Sequence, residues 1–224
     1  MWLYTLVPVA AAILGACYAL WRPPGPKTTA AIQHFAAGVV FSAAAGEILP
    51  DVTHVHSALP VVIGGGLGIL LMSAVRWVGE RSTTPVGLIA TVAVDILVDG
   101  LVLGIAFAAG AKQGLILVIA LTVEILFLGL SVATAFKKAS RARVLATTAA
   151  LSLLLPLGAV AAGPIGLLPP HVMAGFFAFG LIALLYLVTE ELLVEAHKHP
   201  DSPLITAMFF VGFLLVTLLE SVLA

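Results

Sequence analysis

The sequence predicts an all-α polytopic membrane protein: eight transmembrane helices in a single domain spanning residues 1–224. Three observations predict it. The chain is 62% hydrophobic and 9% charged, with a mean hydropathy of +1.20, values outside the range of soluble domains. Eight apolar runs follow one another, each near the twenty residues that a bilayer requires. Nine of the ten Lys and Arg residues fall between alternate runs, the bias that orients membrane helices.

The runs cover roughly 2–21, 31–50, 58–78, 85–110, 114–136, 144–166, 170–194 and 203–223. The breaks carry turn chemistry: Pro23-Pro24-Gly25-Pro26, Ser82-Thr83-Thr84-Pro85, Pro169-Pro170 and Pro200-Asp201-Ser202-Pro203. No loop is long enough for a soluble domain. Met1 to Leu20 has no basic residue ahead of its apolar part; Arg22 and Lys27 follow it instead. That polarity predicts a retained first span rather than a cleaved signal.

Odd-numbered loops hold Arg22 and Lys27, then Arg76 and Arg81, then Lys137, Lys138, Arg141 and Arg143, and finally Lys198; even-numbered loops hold only Lys112. The positive-inside rule then places the odd loops in the cytoplasm and both termini outside the cell (plasma or inner) membrane. The basic loop between spans five and six is a topology determinant near anionic lipid. A lone cysteine, Cys17, excludes an internal disulfide or a cysteine-cluster metal site. A net charge of −1 offers no footprint for nucleic acid.

The stretch that organises the chain is Val94-Asp95-Ile96-Leu97-Val98-Asp99-Gly100. Four-residue spacing puts Asp95 and Asp99 on one helix face. The next run carries Glu124 near its centre. Carboxylates at membrane depth are costly, so protons or a bound cation must balance them. These acids form an ion or proton site, or else they stay protonated and glue helices together. A short loop around Lys112 would make spans four and five antiparallel. Asp99 stands about 12 residues before it and Glu124 about 12 after it, hence at matching depth. The three carboxyls should converge on one ion, release protons on binding it, and bind more weakly at acid pH.

Span two ends in Glu47-Ile48-Leu49-Pro50-Asp51 and span seven in Glu191-Leu192-Leu193-Val194-Glu195, with His54 and His197 just beyond. The two ends face opposite sides of the membrane, as an inverted repeat of spans 1–3 and 6–8 around spans 4–5 would produce. Glu47, Asp51 and His54 would line the outer path, and Glu190, Glu191 and Glu195 the inner one. The pairs His54/His56 and His197/His199 either gather metal or are ordinary loop histidines. Gly100, Gly104 and Ala108 form a small-residue packing stripe, and Gly64-Gly65-Gly66 with Gly68 permit close approach in span three. Glu220 receives no role. No nucleophile or phosphate-loop motif is present, so no enzyme activity is expected. Asp95 and Asp99 share one helix turn, which is not the two-element geometry of an aspartic protease.

Taken together these residues resemble the ZIP (Zrt/Irt-like) metal transporters. Asp95-Ile-Leu-Val-Asp99-Gly100 is similar to the family's His-Asn-x-x-Asp/Glu-Gly, and Val123-Glu124-Ile-Leu-Phe127 to its His-Glu-x-Pro-Glu. Leu155-Pro156-Leu-Gly158-Ala159 resembles Glu-Pro-Leu-Gly-Ala, and the ends of spans two and seven resemble their family counterparts. The resemblance covers nearly the whole chain. It implies eight spans, termini outside, and transport of a divalent cation such as zinc or iron. It also implies a two-metal site, from which this chain departs. The first subsite maps to Asp95, Asp99, Val123 and Phe127, and the second to Ile96, Glu124 and Leu155. One site of Asp95, Asp99 and Glu124 survives, with oxygen donors only. Such donors suit manganese, magnesium, calcium or iron(II) better than zinc.

The expected function is thus a secondary transporter or channel-like carrier of a divalent metal cation, with no resident cofactor. Its partners are the ion, the lipid bilayer and, at most, a second copy forming a homodimer. The alternatives are a degenerate, non-transporting relative with a regulatory or scaffolding role, and a proton-coupled carrier of another solute.

Overall fold

The computed structural model describes residues 2–55, 58–81, 85–136, 139–198 and 202–223. His56, His199, Lys137, Lys138 and the turn residues Ser82, Thr83, Thr84, Pro200 and Asp201 lie outside the described residues. Among those described, helices are the regular structure and no strand forms, and eight helices are long and apolar enough to cross a membrane.

Span one is Trp2–Trp21. Span two starts at Pro26, whose missing N–H costs nothing in a first turn, after Gly25 in extended conformation. It runs Pro26–Ala43, passes through a π-helical turn at Ala44–Ile48, and ends as Leu49–His54. It is therefore longer than the apolar run suggests: Gln33 and His34, near the run's edge, are helical and buried. Span three is Ala58–Arg81 and span four Pro85–Ala109. Gly110 alone links span four to span five, Ala111–Ala135, so Lys112 lies in the first turn of that helix and not in a loop.

Ser140 caps span six, its hydroxyl accepting from the Arg143 N–H at 3.3 Å. The span runs Arg141–Ser152, breaks at Leu153, and resumes as Leu154–Ala161 and a 3-10 turn at Gly163–Leu167. Pro156 explains the break, because it cannot donate to the Ser152 carbonyl. Span seven mirrors span two. It runs Pro170–Tyr186, turns π-helical at Leu187–Leu192, and closes as Leu193–Ala196. Span eight is Pro203–Leu223.

Spans two, five, four and seven form a central ring, each touching the next, and each is backed by one outer helix: eight, one, six and three respectively. Glycines make each of these four backings a close crossing. Gly15 and Gly129 join spans one and five; Gly38 and Gly212 join two and eight. Gly64 and Gly175 join three and seven, and Gly100 and Gly158 join four and six. In each pair the glycine faces a backbone carbonyl of the opposing helix, leaving no room for a Cβ. Of the third-span glycines, Gly64 and Gly68 make close approaches, whereas Gly66 faces open space. Gly100 and Gly104 both face span six, which leaves the Asp95/Asp99 side of span four free to face the ring centre. Outward-facing Leu67, Leu70, Leu214 and Leu218 are exposed, as a lipid-facing surface requires.

Candidate metal centre

The one-residue turn at Gly110 sets the geometry of the acids. Asp99 lies eleven residues before it, Asp95 fifteen before, and Glu124 fourteen after. At 1.5 Å per residue Glu124 is therefore level with the lower part of the Asp95–Asp99 turn. Carboxyl oxygens of Asp95, Asp99 and Glu124 all come within 4.8 Å of one another. The three residues are 5%, 2% and 2% exposed. Asp95 Oδ1, Asp99 Oδ2 and both oxygens of Glu124 are buried without a hydrogen-bond donor. Carboxyl oxygens of Asp99 and Glu124 stand within 4.8 Å with no donor on either oxygen of Glu124, an arrangement two buried carboxyl groups tolerate only by holding a proton or a cation.

At the other positions that the resemblance maps to ligands, Ile96, Phe127 and Leu155 are buried apolar residues and Val123 is half-buried. Three buried carboxyls leave two ways to balance the charge: protons, or a hard divalent cation held by carboxylates.

Span seven adds a fourth acid. Glu191 is close enough to act electrostatically on Asp95, Asp99 and Glu124 alike, and Arg76 of span three acts on Glu191 in turn. Arg76 also forms an ion pair with Glu190 through its guanidinium. Thus Glu191 acts on the centre by like-charge repulsion and is offset by Arg76, while Glu190 is paired with Arg76 directly. Glu195, farther along, is exposed and takes Lys198 Nζ at 2.6 Å.

The opposite end of the ring is acidic too. Glu47 is 8% exposed and interacts electrostatically with Asp51 and Lys112. His54 acts on Asp51. Glu220 of span eight, given no role from sequence, lies over Gly46 and feels the charge of Glu47. Both π-helical turns sit at these acids: Glu47 within Ala44–Ile48, Glu190 and Glu191 within Leu187–Leu192. An extra residue in a turn re-aims the side chains around it, and such turns concentrate at functional sites.

Three features escaped the sequence reading: Glu220, the Arg76–Glu190 pair, and Gln33. Gln33 is fully buried in span two with both amide atoms unpartnered. A polar residue pair, Gln33-His34, at the margin of an apolar run was the available signal. An apolar cavity lies elsewhere. It measures about 640 Å³, opens between spans three, four and seven, and is lined by apolar residues such as Leu67, Leu101 and Phe179. It offers no polar group to an ion.

A scan against models of protein families finds no match for this sequence, and a search of curated proteins finds none either.

Proposed function

We propose that this chain is a ZIP-like carrier that moves a divalent cation across the membrane through the Asp95–Asp99–Glu124 centre. One observation carries the proposal. Three buried carboxyls from two helices converge at mid-span with four oxygens lacking a donor. In lipid, polar groups left in that state are expensive and functional. An all-oxygen cage favours manganese, magnesium, calcium or iron(II) over zinc.

The path runs from Glu47 and Asp51, through the centre, to Glu191 and Glu195. The halves of the chain supply a way to alternate access. Exchanging span one with six, two with seven, three with eight and four with five carries each glycine crossing onto another. The same exchange carries the π-helical turn of span two onto that of span seven. This pattern supports an inverted repeat of spans 1–3 and 6–8, and rocking of one half against the other would expose the centre to each side in turn. The charge bias of the loops supports an orientation with both termini outside and the Arg76–Glu190 pair at the cytoplasmic side.

The replacement of four expected ligand positions by Ile96, Val123, Phe127 and Leu155 favours a second reading, a relative that no longer transports. Uptake into proteoliposomes separates the two. Purified protein is reconstituted and presented in turn with Mn²⁺, Fe²⁺, Mg²⁺, Ca²⁺ and Zn²⁺. Saturable uptake of a hard ion that Asp99→Asn abolishes supports the carrier. No uptake of any ion above empty vesicles rejects it in favour of the non-transporting relative. Uptake of protons driven by another solute would point instead to a proton-coupled carrier.

A further inference from the structure

Spans three and four meet at one end and part at the other. A Cβ on Gly79 would stand 3.0 Å from Thr91 Oγ1, so the two helices are close near the turn that joins them. Toward the Gly110 side each is drawn to a different partner. Gly64 and Gly175 hold span three against span seven, while Gly100 and Gly158 hold span four against span six. The apolar cavity of about 640 Å³ fills the gap between these two pairs. Leu59, Ile63, Leu67 and Leu71 of span three line one wall, and Leu101 and Ile105 of span four line the other. From Leu59 to Leu71 the wall is about 18 Å long at 1.5 Å per residue, close to the roughly 15 Å of hydrocarbon in one leaflet. Spread over that length, the volume gives a cross-section of about 35 Å² and a width of about 7 Å. No polar side chain lines the cavity among the described residues, so water finds no partner in it. Left empty, it would forfeit dispersion contacts along its whole wall. Leu59, Ile63 and Leu67 are exposed, so the cavity lies open to the surrounding bilayer. A helix from a second chain is about 10–12 Å across with its side chains and does not fit.

We propose that this cavity binds one acyl chain of a bilayer phospholipid, taken from the leaflet on the Gly110 side. The glycerol end of the tail lies level with Leu59 and its methyl end reaches toward Leu71. Apolar contact alone gives no preference over other lipid in a bilayer, so the site selects by width and length. The tail completes the packing between the three/seven pair and the four/six pair. Leu101 stands two residues past Asp99, about 200° around the helix and so on nearly the opposite face. Tail and ion therefore do not compete for space. The tail instead backs the span that carries Asp95 and Asp99, which ties the packing of that span to the lipid present. The site does not depend on the carrier reading.

Native mass spectrometry of the full chain, released from nanodiscs of dioleoyl phosphatidylcholine, is the test. One phospholipid retained per chain is expected. Leu67→Trp fills the mouth of the cavity and Ile105→Phe its wall, and each should lower the retained fraction at least fivefold. Leu214→Trp, on the exposed face of span eight, should leave it unchanged. Folding of every variant is checked by size exclusion and circular dichroism. Leu67 is exposed, so Leu67→Trp decides the matter if Ile105→Phe misfolds. Absence of retained lipid on the native chain overturns the proposal. So does unchanged retention in folded Leu67→Trp, or an equal loss in Leu214→Trp. Retention of added oleic acid without retention of phospholipid overturns the assignment to a bilayer lipid. Conversion of a dimer to a monomer by Leu67→Trp, with lipid retention unchanged, would show that a second copy covers this face and would overturn it as well. Lipid retained by a protein that takes up no ion into vesicles supports the site and sinks only the carrier reading.

Discussion

Asp99 on span four and Glu124 on span five bring carboxyl oxygens within 4.8 Å of each other, each residue 2% exposed and with Asp99 Oδ2 and both Glu124 oxygens lacking a described donor. Carboxyl groups so placed share a proton or a cation. That relationship makes Asp99 the residue whose neutralisation is most informative. Asp99→Asn is expected to lower metal affinity at least tenfold while thermal stability holds or rises, since an amide needs no counter-ion. Metal titration and thermal unfolding in detergent check it together. A variant that binds normally contradicts the centre, and one that unfolds marks Asp99 as structural.

Proton competition follows from the same geometry. A carboxylate ligates only when deprotonated, so metal must displace whatever protons the three acids hold. Affinity should fall as pH falls, and binding in a weakly buffered solution should acidify it. Titration of the metal at several pH values, with proton release read by an indicator dye, tests the sign. Affinity that rises on acidification would rule out carboxylate ligation.

Arg76 is the fixed cation that acts on Glu191, and Glu191 acts on the centre. Removing that positive charge should favour a second cation nearby. Arg76→Gln is expected to tighten metal binding by about three- to tenfold, of order 1 kcal/mol. Isothermal titration measures it. Weaker binding would mean that the ion pair with Glu190 is needed to shape the site.

Packing predicts a contrast among glycines. A Cβ on Gly100 or Gly158 would collide with a carbonyl of the opposing helix, whereas Gly66 faces open space. Gly100→Val or Gly158→Val should destabilise the protein by about 2–4 kcal/mol or prevent folding. Gly66→Ala should be near neutral or slightly stabilising, as Ala is the better helix former. Thermal midpoints in detergent compare the three.

Orientation is testable with the single native cysteine, Cys17, replaced by Ser and a new cysteine placed at Ser140. The four basic residues around that position predict labelling only from the cytoplasmic side. Labelling by an impermeant reagent from outside would invert the path.

Much of this was legible in the sequence because membranes impose blunt rules. Span length, loop charge and the cost of buried acids all act through composition, so the eight spans and Asp95, Asp99 and Glu124 could be read directly. Glu124 comes level with the Asp95–Asp99 turn because helical rise is constant and one short turn joins the two spans. Other features were not legible. A π-helical turn leaves no mark in a pattern of apolar residues, so the re-aiming of Glu47, Glu190 and Glu191 was hidden. Arg76 read as a topology charge because its partner Glu190 is 114 residues away. His34 read as a residue at the edge of a span because Pro26 starts the helix five residues before the apolar run; inside that helix the ring is buried against span seven. Glu220 looked like a residue near an interface until Gly46 gave its carboxyl a seat beside Glu47.

The claim that matters most is that one ion sits between Asp95, Asp99 and Glu124. Diffraction from crystals soaked in Mn²⁺, recorded at the manganese absorption edge, tests it most directly. An anomalous peak with one oxygen of each of the three carboxyls about 2–2.6 Å away is the expected result. Manganese density elsewhere in the ring, with the three carboxyls left facing each other, would contradict it and leave the acids as protonated glue between helices four and five.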